Sequence, residues 1–260
     1  SQVGVGEMDA RVLLRVFLRT YLVGSAFNTK GMQNVGLSYI MEPGLQALYR
    51  GDSPALRKAR SRYLKHYNTH PFWTPLLVGI FLSMENKIAR GLLPPDILPK
   101  LRATTVYTLS GLGDSFFGGS LLVTWSLVCI NLALSDRPLL LAIWVLFCFL
   151  VLQIFKIFTF ARGYSQGLAF LQKLKSWNLI DWSQRLKMLN AALLALFYVR
   201  LQPGDSIWTL LAVSCVALLA AVSTLRIRDR GLIIVILLLL SLLTPWDRMT
   251  AAVLNLLGGI

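Results

Sequence analysis

The stretch PLLLAIWVLFCFLVLQIFKIFTFA, residues 138–161, contains a single charged side chain, Lys156. A helix that crosses a bilayer needs roughly 20 consecutive apolar residues, and this run supplies them. The rest of the composition agrees. Of 260 residues, 55% are hydrophobic and only 15% charged, against about 25% charged in soluble domains, and the mean hydropathy is +0.61. The long apolar runs are concentrated in the second half, so the chain reads as an all-α integral membrane protein with a more polar front half.

Working outward, further apolar runs at about 120–134, 188–201, 207–225 and 231–244 bring the expectation to about five C-terminal membrane helices. Several are short for a full crossing, which implies tilting, thinning or incomplete spanning. The segments 161–187 and 226–230 (RIRDR) are rich in Lys and Arg, whereas 135–138 (SDRP) and 202–206 (QPGDS) are nearly neutral or acidic. The positive-inside rule then puts the first two, and the basic front half, on the cytoplasmic side. The net charge of +14 follows from that topology, and a nucleic-acid-binding reading, which rests on charge alone, is set aside. Lys156 lies close enough to the cytoplasmic end near Arg162 to snorkel. Cys129, Cys148 and Cys215 lie inside apolar runs without metal-type spacing and read as small buried hydrophobes. The start of the chain has acids before its apolar region and no cleavage pattern, so it does not read as a signal peptide.

In the front half, residues 10–27 form an expected helix with Arg11, Arg15 and Arg19 opposite a broad apolar surface, a pattern suited to a membrane interface. Ser53 and Pro54 read as N-cap and first-turn residues of a basic helix carrying Arg57, Lys58, Arg60, Arg62 and Lys65. Its cations make either a solvated cytoplasmic face or a site for lipid headgroups or a partner protein. Two apolar stretches, about 72–84 and 103–123, are interrupted by Pro71, Pro75, Gly79, Gly111, Gly113, Gly118 and Gly119. Irregular backbone at membrane depth must be covered by protein or line a cavity, so both are expected to be re-entrant segments. The domain reading is a core of amphipathic and re-entrant helices over 1–119 and a transmembrane region over 120–260.

Three segments gather polar groups that suit sugar hydroxyls: NTKGMQNVG (28–36), YNTHPFW (67–73) and SGLGDSFFGG (110–119). A hydroxyl both donates and accepts, so Asp114, Glu85, Asn34, Asn68 and Gln33 are candidates to position it, with Trp73, Tyr67 or Phe117 covering the apolar face of a pyranose. His70 is assigned a hydrogen-bonding role. His66 lies one helical turn earlier, but no third ligand recurs at metal spacing, so no metal is expected. Asp114 admits a second reading, as a helix-terminus cap or the partner of a cation. The glycines around it lack the Lys-Ser/Thr of a phosphate loop, and no catalytic constellation or cofactor motif occurs.

The runs FLRTYLVGSAFNTKGMQNVGLSYIMEPGLQALY (17–49), YLKHYNTHPFWTPLLVGIFLSMEN (63–86) and SGLGDSFFGG, in that order, resemble the successive signatures of the IID subunit of mannose/fructose/sorbose-family sugar phosphotransferase systems. The resemblance covers roughly residues 10–125. It is carried best by Asn28, Met32-Gln33-Asn34 and Gly36, by Asn68-Thr69-His70-Pro71, and by Gly111-Leu112-Gly113-Asp114. It implies a subunit of a bacterial cytoplasmic membrane transporter that pairs with a IIC membrane subunit and assembles as trimers. Uptake of a hexose or amino sugar by an elevator-type displacement would be coupled to phosphorylation through cytoplasmic IIA and IIB proteins, the IID chain being neither catalytic nor phosphorylated. Asp114, Asn68, His70, Glu85, Gln33, Asn34 and Trp73 would line or brace the sugar site. The chain departs from the family pattern at Glu85-Asn86-Lys87, where two acids are usual, and at Ser115, where a proline usually follows Gly-Asp. These departures motivate an alternative, a transport-inactive membrane scaffold or sensor derived from the family.

Overall fold

The computed structural model describes residues 8–201 and 230–241, together with a few single positions between and beyond them. Among the described residues regular structure is helical. The extended chain is limited to two isolated bridges, Asn28 with Met32 and Met32 with Tyr67. We label the helices α1 Ala10–Arg19, α2 Asn34–Leu48, α3 Ser53–Tyr63 and α4 Thr74–Ala89. They are followed by α5, a continuous helical run over Ile97–Leu134, then α6 Pro138–Gln166, α7 Ala169–Lys175, α8 Leu179–Leu201 and α9 Arg230–Ser241.

Contacts divide the chain into two compact units, Ser1–Asp114 with Leu150–Asn178, and Ser115–Phe149 with Leu179–Ile260. The chain passes from one to the other inside α5, inside α6 and at the turn between α7 and α8.

In the first unit the centre is α4. Every residue from Thr74 to Glu85 is buried, as expected of a helix that is apolar all round. Its 16 residues extend about 24 Å at 1.5 Å per residue, short of the roughly 30 Å hydrocarbon core. The apolar stretch at 72–84 therefore forms a short helix enclosed by protein. Leu37, Ile40, Met41 and Leu45 of α2 and Tyr63 of α3 complete the core, each at most 2% exposed. The C-terminal half of α6 crosses α4 with backbones in contact. A β-carbon on Gly79 would lie 2.5 Å from the Phe160 carbonyl oxygen, and one on Gly163 would lie 2.5 Å from that of Leu76. Small residues that let backbones touch are a recurrent device of membrane helix packing.

In the second unit, the last part of α5 and α8 are joined by a buried polar seam. Ser120 Oγ and Ser183 Oγ are 2.7 Å apart, and Thr124 Oγ1 donates to Asn190 Oδ1 at 2.7 Å. Asn190 Nδ2 donates to the Ser120 carbonyl at 3.1 Å, Asn131 Nδ2 to that of Leu193 at 3.2 Å, and Arg200 to the Ser135 hydroxyl. The partner numbers rise together, so the two helices run parallel.

Several expectations are revised. The helix expected over 10–27 ends at Arg19 and tightens to a 3₁₀ turn at Thr20–Leu22, where the Thr20 hydroxyl donates to the Phe17 carbonyl at 2.6 Å. Asp52, not Ser53, caps α3: its Oδ1 accepts from the Ala55 N–H at 2.9 Å, and Ser53 is already helical. The stretch 103–123, expected to be re-entrant, lies inside α5, which is long and apolar enough to cross a membrane. Its glycines do not break the helix: Gly111 and Gly113 lie in α-helical turns and Gly118 and Gly119 in turns of π geometry over Asp114–Leu121. The run at 120–134 is the end of the same helix, and 188–201 begins earlier, at Leu179. Most of 207–225 and the end of 231–244 lie outside the described residues, and with them the count of about five C-terminal helices. Cys129 and Cys148 are half-buried and Cys215 is exposed, so they do not sit in a protein core. The apolar window of α6 has none of its residues buried, which requires lipid or a partner as its solvent.

The backbone contact at the α4–α6 crossing sets the first test. Gly163→Leu should destabilise the purified protein by about 3 kcal/mol or more, since overpacking costs roughly 1–3 kcal/mol even where side chains can yield. Gly118→Ala, with nothing within 4 Å of the added carbon, should leave the melting temperature in detergent unchanged. Equal melting temperatures for the two variants would refute the close crossing.

Candidate functional site

The polar segments at 28–36 and 67–70 are joined by backbone and amide hydrogen bonds. Asn28 and Met32 exchange backbone bonds at 3.0 and 2.9 Å, and Asn28 Oδ1 accepts from the Gly31 N–H at 2.7 Å, closing a turn with Met32 at φ 58°. The turn then pairs with the neighbouring chain: the Gln33 N–H donates to the Tyr67 carbonyl at 2.8 Å, and the Tyr67 N–H to that of Gly31 at 3.1 Å. Gln33 Oε1 accepts from the Thr69 N–H at 3.2 Å. Asn34 Nδ2 donates to the Leu64 carbonyl at 2.6 Å, while its Oδ1 accepts from Asn28 Nδ2 at 2.9 Å. Gln33 and Asn34 thus hold the extended segment that carries Asn68 and His70.

That segment meets α5 at Gly113. A β-carbon there would lie 2.5 Å from His70 Cβ and 2.8 Å from Trp73 Cδ1, so only glycine lets the two elements approach. The next residue, Asp114, is exposed and opens the π-helical turns. Single widened turns of this kind are frequent at functional sites. His70 Nδ1 accepts from the Phe72 N–H at 3.3 Å, which leaves the proton of the neutral ring on Nε2. Burial pushes the imidazole below its usual pKa, and the Asp114 charge offsets part of the shift. The two residues thus place a neutral imidazole and an exposed carboxylate at neighbouring positions. Phe72 meets the His70 ring edge-on at 4.8 Å between centroids. On its other side is Lys156, with Nζ 5.4 Å from the Phe72 centroid and 4.2 Å from that of Tyr21. Rather than only snorkelling, this lysine is held against two aromatic faces.

The remaining candidates lie elsewhere. Asn68 lines a neighbouring cavity of about 190 Å³ with His66, Arg102 and Tyr107, and neither His70 nor Asp114 contributes to its walls. Trp73 and Tyr67 are fully buried, and Phe117 is nearly so, so none of these rings offers an open face to a sugar. Phe72, which sequence reasoning passed over, is the half-buried ring beside His70. The signal that pointed there was the charge of Lys156 inside an apolar run.

Glu85 forms a separate cluster. It is fully buried, and each oxygen accepts twice: Oε1 from Arg62 Nε at 3.0 Å and Tyr63 at 2.9 Å, Oε2 from Arg62 Nη2 at 2.5 Å and Tyr49 at 2.7 Å. Burial, reinforced by the Glu85 charge, holds both tyrosine hydroxyls above their usual pKa, so they remain neutral donors. The cluster ties the end of α2 and the end of α3 to α4. Arg102 of α5 adds a second tie, donating to the carbonyls of Arg62 and His66 at 2.6 and 2.9 Å and capping the C-terminal end of α3. Lys87, the departure from the expected acid, is exposed.

Residues 7–201 match the family described as the mannose/fructose/sorbose family IID component of the phosphotransferase system. The mannose-specific EIID component of Escherichia coli K12 is 29% identical over 168 residues, 61% of this chain and 59% of that protein. The fructose permease IID component of Bacillus subtilis strain 168 is 26% identical over 172 residues, 65% of this chain and 61% of that one. The matched region therefore spans less than two thirds of either relative. Among solved structures, a chain of the complex between the mannose transporter ManYZ and microcin E492 shares the fold. Its TM-score is 0.58 at 24% identity, over 73% of this chain and 71% of that one. A chain described simply as a membrane protein aligns over 97% of both, with TM-score 0.67 at 19% identity.

Two outcomes follow from the geometry. Glu85→Ala leaves Arg62 half-buried without its carboxylate and should destabilise the protein by about 3–5 kcal/mol, read as a loss of melting temperature or of folded yield; an unchanged protein would show that the cluster is not structural. His70 has a pKa below the usual 6.5 in the folded state, so its contribution to stability is complete above that value and is lost as pH falls through the folded-state pKa. The drop in melting temperature between pH 7 and pH 5 should therefore be smaller in His70→Gln than in the parent.

Proposed function

This chain belongs to the mannose/fructose/sorbose family of phosphotransferase-system IID components, and from that premise we propose that it is the IID subunit of a sugar transporter in a bacterial cytoplasmic membrane. In this reading it pairs with a IIC subunit to form the path for a hexose or amino sugar, within a trimeric assembly. Cytoplasmic IIA and IIB proteins phosphorylate the sugar as it is delivered, and the basic front half faces them.

The observation that carries the reading is the contact of Gly113 with His70 and Trp73. It brings the two family segments that hold the hydroxyl-binding groups to one point. Asp114 accepts from one sugar hydroxyl and His70 Nε2 donates to another, with Phe72 beside them and Asn68 contributing from the adjoining cavity. Gln33, Asn34, Glu85 and Trp73 brace these groups: the two amides hold the 67–70 segment, Trp73 fills the space behind Gly113, and the Glu85 cluster fixes α4. The carboxylate is the strongest of the contacts, because hydrogen bonds to a charged group contribute about 1.5–3 kcal/mol each.

The test is to purify the chain with its IIC partner and measure binding of a panel of hexoses and amino sugars by calorimetry. Saturable binding is expected for at least one sugar, and Asp114→Ala should weaken it by about 10- to 100-fold with the complex intact. A stable complex that binds none of the panel would overturn the transporter reading and favour the scaffold or sensor.

A further inference from the structure

Away from the Asp114 site, the end of α2, the start of α3 and the end of α4 enclose a second cavity, of about 270 Å³. Three cations line it, Arg50, Lys58 and Arg62, and Asp52 is the one acid among the lining residues. Asp52 is already engaged, since its Oδ1 accepts from the first turn of α3 at Ala55. Arg62 is held by Glu85 and Tyr49 through Nε and Nη2, while its Nη1 takes part in no hydrogen bond among the described residues. Arg50 and Lys58 are exposed and form no ion pair among the described residues. Arg60, one residue from the cavity wall on α3, is by contrast paired with Glu42.

The basic helix thus divides its cations. Arg60 and Arg62 each have a carboxylate of this chain, whereas Lys58 and Arg50 turn an unneutralised charge toward a concavity, with Arg62 fixed at its back. A solvated face would spread its charges over convex surface, but here Lys58 and Arg62 of α3 converge with Arg50 from the turn after α2. Leu48 and Ile88 supply an apolar wall. The volume is just below the range of drug-sized sites, roughly 300–1,000 Å³, and suits a small ligand with one anionic group and a short carbon skeleton. Three cationic donors, two from α3 and one from the turn before it, match the several oxygens of a phosphate better than the two of a carboxylate.

We propose that this cavity binds the phosphate group of a polyol phosphate ester, with Arg50, Lys58 and Arg62 as its ligands. A phosphorylated sugar and a glycerophospholipid headgroup both present that chemistry. The site is independent of the sugar contacts at Asp114.

Glycerol 3-phosphate is the soluble probe, titrated by calorimetry into the full-length chain in nanodiscs of phosphatidylcholine. The lipid arm compares the melting temperature in phosphatidylcholine nanodiscs with and without phosphatidylglycerol. Arg50→Gln, Lys58→Gln and the double variant are measured in both arms. Lys87→Gln, an exposed cation outside the cavity wall, controls for general charge, and Asp114→Ala should bind the phosphate probe as the parent does. The expected result is that the double variant weakens glycerol 3-phosphate binding by about tenfold or more, or abolishes the stabilisation by phosphatidylglycerol, with Lys87→Gln unchanged. Loss in the first arm assigns a soluble ester and loss in the second a lipid headgroup. Both arms indifferent to Arg50 and Lys58, or equally sensitive to Lys87, would overturn the proposal.

Discussion

The first unit depends on the burial of α4 from Thr74 to Glu85. A helix apolar on all sides has no face to offer water, and at 16 residues it is too short to use lipid at both ends. Protein must therefore surround it. The α2 core residues lie on one side, Tyr63 and Tyr67 on another, and the C-terminal half of α6 approaches to backbone contact through Gly79 and Gly163. Once α6 packs this closely, the elements it touches have little room to move. The aromatic groups around Phe72, Tyr21 and Lys156 are held at that junction.

Enclosing a helix also encloses its polar ends, and each enclosed group needs a partner. At the far end of α4 this need is met by Glu85, whose oxygens take up Arg62, Tyr49 and Tyr63. Glu85 is the acid that the packing requires. Lys87 is in solvent, where a change of sign costs little. At the near end, the Asn28 turn and the amides of Gln33 and Asn34 satisfy the extended 67–70 segment without a sheet. The second unit solves the same problem along a helix pair, where hydroxyls and amides from Ser120 to Arg200 bind two parallel helices together, a form of adhesion available where apolar burial drives little association.

The proposed sugar site sits where these constraints leave polar groups unabsorbed. Gln33, Asn34, Glu85 and Trp73 are committed to holding the fold. Asp114 remains exposed beside a glycine that admits His70, on helical turns widened to π geometry. The same sorting applied to the cations that line the second cavity leaves Arg50 and Lys58 without an acid of their own among the described residues, whereas Arg62 has Glu85.

The amino-acid sequence alone determined the solvent and the segments: a bilayer from residues 138–161, a basic front half, two interrupted apolar stretches at 72–84 and 103–123, and three polar motifs whose order resembles the family. These are local properties, set by composition and periodicity along one stretch of chain. Tertiary structure decided what depends on partners far apart in sequence. It made Asp52 the cap instead of Ser53, and it carried α5 unbroken through its glycines. It turned Glu85 inward to three donors on other helices, and it separated Asn68 from the His70–Asp114 pair. A polar side chain written in a sequence does not say whether a neighbour will satisfy it, and only the packed chain settles which groups are used up in folding and which remain to meet a ligand.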